Sequence, residues 1–267
     1  MRNIVAATDF SEIAENAVAY AAAIAKQINA KLILFNSFVI PFHASNTLLP
    51  ADVIQRLMTE NEIRLIEKAF TLSYAYDIEV DHETSFSYLE KDLKGLILDY
   101  EAELLVLGMP ERTLEQDLWG NRTTGAIKRL KVPILAVPMG AKFEGSKRVL
   151  FACDMIQGVP QHIISRIKEV VTTLDGEMEI FSVDQKISEM DGLTYDLNEG
   201  LEGIHYYYKN VASNSVIQEI AKEIEEFRAD LLIMIPKTYG FWASMVHRSK
   251  TRVMAAGLKI PLLSIPI

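Results

Sequence analysis

The chain has 267 residues, 49% of them hydrophobic, and a formal net charge of −9. That length exceeds one small α/β unit and suits two of about 130 residues each. The acidic balance excludes general nucleic-acid binding, because phosphate backbones are repelled at long range. No apolar run approaches the roughly 18–20 residues of a membrane span; the nearest, residues 17–25, is alanine-rich and short, so no membrane insertion is expected. The single cysteine, Cys153, leaves no internal disulfide and fits a reducing cytoplasm. Residues 2–7 enter a strand pattern directly, without the apolar region and cleavage site of a signal peptide, and point to the same compartment.

In chain order, Asn3 to Thr8 reads as an apolar strand that leaves through Asp9-Phe10-Ser11. Ser11 is placed to cap a helix, Glu12 and Glu15 suit its first turn, and Ala14, Ala17, Val18, Ala21, Ala22 and Ala25 form its apolar stripe. Lys31 to Asn36 is the next strand, and residues 39–50 carry two prolines and no period, as a loop does. A long helix is predicted over Ala51 to Tyr74, a strand over Ile78 to Thr84 and a helix over Tyr88 to Asp99. Glu103 to Gly108 is a buried strand leaving at a glycine. After a polar loop, Gly120-Asn121-Arg122-Thr123 opens a segment of helical spacing, and Val132 to Val137 is a fifth strand. Alternation of strand and helix predicts a parallel sheet with right-handed crossovers and helices on both faces. A glycine-bearing loop between a buried strand and a helix start is also where backbone N–H groups and the helix dipole can hold an anion such as phosphate.

Residues 139–145 read as a short linker, after which the pattern restarts. Lys147 to Asp154 matches Arg2 to Asp9 in residue type at an offset of 145. Ala229 to Met234 matches Ala102 to Leu107 at 127, and Lys259 to Pro266 matches Lys131 to Pro138 at 128. Three ordered matches predict an internal duplication, with domains at 1–140 and 141–267. The fall in offset makes the second half shorter between its first and fourth strands. The missing piece is expected to be the counterpart of the long helix, because Gln185 to Gly203 is acidic, carries glycines and has weak helical period.

With both repeats in view, the sequence resembles the universal stress protein family in a tandem, two-domain form. The resemblance rests on Ala7-Thr8-Asp9-Phe10-Ser11 after the first strand, on the five-strand order, and on the Val-Pro and Ile-Pro that open the last strands. It implies two Rossmann-like α/β domains, each with a mainly parallel five-stranded sheet, of the adenine nucleotide alpha hydrolase-like type. They would be packed as an intramolecular pseudo-dimer with the last strands at the contact, and further pairing of two chains stays open. Many members bind ATP or AMP through Gly, two residues, Gly, nine residues, then Gly with Ser or Thr. The resemblance implies that Thr8 and Asp9 face adenosine, that Asn36 lies near the base, and that Gly108, Gly120, Asn121 and Arg122 face the phosphates. Asp9 and its counterpart Asp154 also suit simple helix capping or a turn, and a strand-end asparagine such as Asn36 also serves simply as a turn residue.

This chain departs from that motif in both halves. In the first, Glu111 stands at the middle glycine, the spacing is one residue short, and Asn121 replaces the hydroxyl. A carboxylate about 4 Å from a phosphate charge costs on the order of 4 kcal/mol at an effective dielectric of about 20, close to a thousandfold in affinity. Glu111 either faces the phosphates at that cost or turns outward beside Arg112. In the second half Ile235, Thr238 and Arg248 fill the glycine positions and only Ser249 remains. A second site would rest on Asp154, Arg248 and Ser249, with His247 and Lys250 adding positive charge, although Arg and Lys there equally serve as ordinary solvated residues at a helix start.

Two readings follow. One is a stress-response protein that binds an adenine nucleotide weakly in the first domain. The other is an interaction or scaffold protein with both phosphate loops degenerate. Catalysis is not expected: the chain lacks G-x-S-x-G and G-x-x-x-x-G-K-[ST] and offers no set of acid, base and nucleophile. Its five histidines lack paired metal-ligand spacing, so no metal site is expected.

Overall fold

The computed structural model describes residues 2–38, 50–85, 89–109, 126, 129–145, 147–153, 159–184, 200–235 and 258–267. The chain divides into two compact units, Met1–Gly108 and Met109–Ile267.

The first unit runs β1 (Asn3–Ala7), α1 (Glu12–Ile28), β2 (Lys31–Ser37), α2 (Ala51–Tyr76), β3 (Val80–Ser85), α3 (Leu89–Asp99) and β4 (Leu104–Met109). Each predicted element is present, with ends moved by one or two residues. The strand order is β3-β2-β1-β4 and every pairing among these described strands is parallel. Ile4, Val5 and Ala6 of β1 and residues 32–35 of β2 are buried, as continuous apolar runs in a sheet covered on both sides should be. Two crossovers step from β1 to β2 to β3 in one direction, and the next returns to β4 on the far side of β1. Right-handed crossovers therefore put α1 and α2 on one face and α3 on the other. At the edge, β3 is half-exposed and carries Asp81, His82 and Glu83, charges that discourage further strand addition.

Local chemistry fixes where α1 begins and ends. The Ser11 hydroxyl accepts from the Ala14 N–H at 3.3 Å, and Asn29 closes the helix in the left-handed region at φ 51°. The predicted alanine stripe is buried, so the helix backbone lies close against the sheet.

The second unit contains β5 (Ile134–Pro138), β6 (Arg148–Ala152), α4 (Gln161–Leu174), β7 (Glu177–Asp184), β8 (Tyr206–Ala212), α5 (Val216–Phe227), β9 (Leu231–Met234) and β10 (Leu262–Ser264). Its strand order is β5-β10-β9-β6-β7-β8. Pairing is parallel from β10 to β8, while β5 and β10 run antiparallel. Leu135 lies opposite Leu263 in that pair, and these residues are separated by the same offset of 128 that relates the two Pro-opened segments. The rest repeats the winding of the first unit: β6 steps to β7 and β8, and the chain returns to β9 on the other side of β6. The connection from β7 to β8, residues 185–205, is shorter than the 26 residues of α2 alone. Most of it lies outside the described residues. Tyr206, Tyr207 and Tyr208 are strand residues of β8, with Tyr207 facing solvent.

Candidate functional site

In an open parallel sheet, ligands sit beyond the carboxyl ends of the strands at the point where the winding reverses. In the first unit that point lies between β1 and β4. Thr8 and Asp9 follow β1 there, and Gly108 lies at the end of β4, so three predicted site residues converge on one end of the sheet. Asn36, near the end of β2, is the fourth.

Thr8 is buried. Its N–H donates to the Phe35 carbonyl at 2.8 Å, which extends the β1–β2 ladder by one residue. Its hydroxyl accepts from the Phe10 N–H at 2.9 Å and donates to Glu15 Oε1 at 3.3 Å. Asp9 is exposed, and its Oδ1 accepts from the Ser11 N–H at 3.1 Å. The turn is tight enough to hold Phe10 at φ 62°, a conformation that side chains rarely adopt. The Arg64 guanidinium of α2 rests over the Phe10 ring, 4.1 Å from its centre. Asp9 is thus presented at the mouth of the reversal, with one carboxylate oxygen tied to the turn.

Asn36 is 2% exposed and serves as a cross-tie. Its amide donates to the Thr8 carbonyl at 2.7 Å, while its Oδ1 accepts from the Asn61 amide of α2 at 2.8 Å. Lys68, two turns further along α2, is ion-paired with Glu15. The side chains of Asn61, Arg64 and Lys68 therefore brace one edge of the β1 turn. The sequence contained no signal for these three, since their role depends on how α2 lies against the sheet.

Gly108 has a local reason to be glycine. A Cβ there would sit 2.7 Å from Ile13 Cγ2 and 3.0 Å from the Ile13 carbonyl oxygen, so β4 and the first turn of α1 meet without room for a side chain. Gly120, Asn121 and Arg122 lie outside the described residues, as do Glu111 and Arg112. So do Asp154, Arg248 and Ser249 of the second candidate site, together with His247 and Lys250.

The corresponding end of the second unit keeps the backbone pattern but changes the side chains. The Cys153 N–H donates to the Phe181 carbonyl at 3.0 Å, as Thr8 does to Phe35. Cys153 is buried, and Ser182, one residue after Phe181, stands where Asn36 stands after Phe35. A serine is too short to repeat the Asn36 tie.

Elsewhere in the second unit, two carboxyl groups meet between β7 and α5. Glu179 and Glu223 are both buried, and the two carboxyl groups lie close enough for Glu223 to act on Glu179. Glu179 Oε1 is buried without a hydrogen-bond partner. Burial, reinforced by the Glu223 charge, pushes the Glu179 carboxyl up to about 7. Lys209 of β8 is ion-paired with Glu223 and lies 3.0 Å from Glu226, contacts that raise its own proton affinity.

Among the described residues no group of three or more His, Cys, Asp or Glu side chains is placed to hold a metal ion. No helix among them is long and apolar enough to cross a membrane.

The fold is that of a Rossmann-like α/β domain, and sequence comparison narrows the class. The model of the universal stress protein family matches residues 1–138, and the chain belongs to that family. A universal stress protein from Archaeoglobus fulgidus DSM 4304 superposes with a TM-score of 0.79 at 16% identity, over 99% of this chain and 96% of that one. A functionally unknown protein from Pseudomonas aeruginosa PAO1 superposes with a TM-score of 0.56 at 12% identity, over 100% of this chain and 92% of that one. A family protein from Arabidopsis thaliana, solved with AMP bound, matches 53% of this chain and 94% of its own, with 13% identity and a TM-score of 0.39. No curated protein is recognisably similar in sequence.

Proposed function

We propose that the chain is a tandem universal stress protein, with repeats at 1–140 and 141–267, that binds an adenine nucleotide in the first repeat and acts in the stress response without catalysis. The supporting observation is the Thr8–Asp9 turn, braced from α2 and set at the winding reversal, with one carboxylate oxygen of Asp9 held by the Ser11 N–H. Thr8 and Asp9 would face the adenosine part. The phosphates of ATP or AMP would lie toward Gly108 and the segment bearing Gly120, Asn121 and Arg122. A second site at Asp154, Arg248 and Ser249 would be weaker, because three family glycine positions there carry side chains. The reducing cytoplasm suggested by the single cysteine is the proposed location.

Two observations favour the alternative, an interaction protein without nucleotide. Both ends of the Asn36 amide are used inside the protein, and Gly108 is accounted for by Ile13. Denaturing the freshly purified chain and analysing the released small molecules by mass spectrometry separates the readings. About one adenine nucleotide per chain, lost in Asp9→Ala, supports the first. No nucleotide, together with no heat of binding at millimolar ATP or AMP, overturns it and leaves the interaction protein.

A further inference from the structure

Helix α2 is long for the little it buries. Of its 26 residues, only Leu65, Ala69 and Leu72 are buried. The opposite side is not the charged face expected of a surface helix. Ile63 is 49% exposed, Ile66 43%, Phe70 75% and Tyr74 87%. Steps of three, four and four residues at about 100° each place all four on one stripe, turned away from Leu65 and Leu72 and about 16 Å long. Single exposed apolar residues are ordinary, whereas a contiguous row that includes two aromatic rings marks a surface that is covered by something. Each ring alone offers about 150–250 Å².

The charges beside the stripe indicate what covers it. Glu60 and Glu67 are exposed on one flank and Glu62 on the other. The two cations within the same span are engaged elsewhere, Arg64 over the Phe10 ring and Lys68 with Glu15. The next cation on the helix, Arg56, stands two turns before the stripe begins. An apolar row framed by carboxylates is the complement of an amphipathic helix whose apolar row is framed by lysine or arginine.

We propose that the outer face of α2 docks such a basic amphipathic helix from a partner protein. A second copy of this chain fits poorly, since two such α2 faces laid together gather the carboxylates of Glu60, Glu62 and Glu67 from both copies into one contact while Arg64 and Lys68 stay engaged elsewhere. Like charges there disfavour the pairing. An anionic membrane surface is repelled by the same carboxylates and by the net charge of −9.

The probe is a synthetic helix of about 18 leucine and lysine residues with leucines spaced three and four apart, alongside a leucine–glutamate analogue of the same pattern. Binding to the full chain is followed by fluorescence anisotropy. The expected result is binding of the lysine peptide only, weakened about tenfold or more between about 50 and 300 mM salt. The Phe70→Ser/Tyr74→Ser double variant should weaken binding by a further tenfold or so. That variant leaves the net charge unchanged, and because both side chains are exposed its urea midpoint should match the parent. Equal binding to parent and variant would overturn the proposal by placing the peptide on acidic surface in general. Equal binding of the two peptides would overturn it in favour of unselective apolar adsorption. A dimer in sedimentation equilibrium that the double variant dissociates would assign the face to a second copy instead.

Discussion

Gly108 shows how much a single missing Cβ can carry. The sequence presents it as the first glycine of a phosphate loop, and nothing in the linear pattern names Ile13 as its neighbour. The folded chain brings them so close that an added Cβ would lie 2.7 Å from Ile13 Cγ2 and 3.0 Å from the Ile13 carbonyl oxygen. The side chain can turn aside, but the carbonyl belongs to the first turn of α1 and cannot. Gly108→Ala is therefore expected to lower the free energy of unfolding by about 1–3 kcal/mol, read from urea curves, and Ile13→Ala should restore only part of it. Asn36 carries the same lesson. A strand-end asparagine suggests a base contact or a turn, whereas its amide joins Thr8 to Asn61 across three elements. Thr8 and Asp9 were legible as a pair because their chemistry is local: the hydroxyl and the carboxylate each hold a backbone N–H two residues on.

At the scale of elements, periodicity located the strands and helices of the first unit because its strands are continuous apolar runs and α1 has a capped, alanine-lined face. The edge strand β8 was harder to see. Nothing in the run Tyr206-Tyr207-Tyr208 marks a strand by itself, and only pairing with β7 makes it one. The meeting of Glu179 and Glu223 was invisible for the same reason, since one is on β7 and the other on α5. It has a measurable consequence. The Glu179 carboxyl ionises near 4.5 when unexposed to these surroundings and near 7 in the fold. Between those values the folded chain keeps a proton that the unfolded chain has released, so this group's contribution falls as pH rises through the window and is level above it. The loss reaches about 3 kcal/mol by pH 8. Glu179→Gln should remove it: the variant unfolds at higher urea than the parent at pH 8, by about 1–3 kcal/mol, and the two converge near pH 4.5. Parallel curves across that range would show that the carboxyl is not held protonated.

At the scale of the whole chain, the proposed duplication rests on strand types that recur in order, the last of them at an offset of 128. The register of β5 on β10 gives that offset a physical meaning. An antiparallel ladder can set a residue opposite its own equivalent at only one place, and under the proposed duplication that place is Leu135 against Leu263. Two separate single-repeat chains making this contact would form an isologous dimer whose amount depends on concentration. With both strands in one chain, the pairing is intramolecular, at an effective concentration on the order of millimolar. The thermal midpoint should accordingly stay fixed when the protein is diluted about a hundredfold, as followed by circular dichroism; a falling midpoint would mean that association between chains supports the fold. Joining the strands also ends a constraint of heredity. In a self-paired dimer every substitution is made twice and felt twice, so a change that suits one side must suit the other. In the two repeats proposed here Thr8 is matched by Cys153 and Asn36 by Ser182, and within one chain each position of such a pair is free to differ from the other.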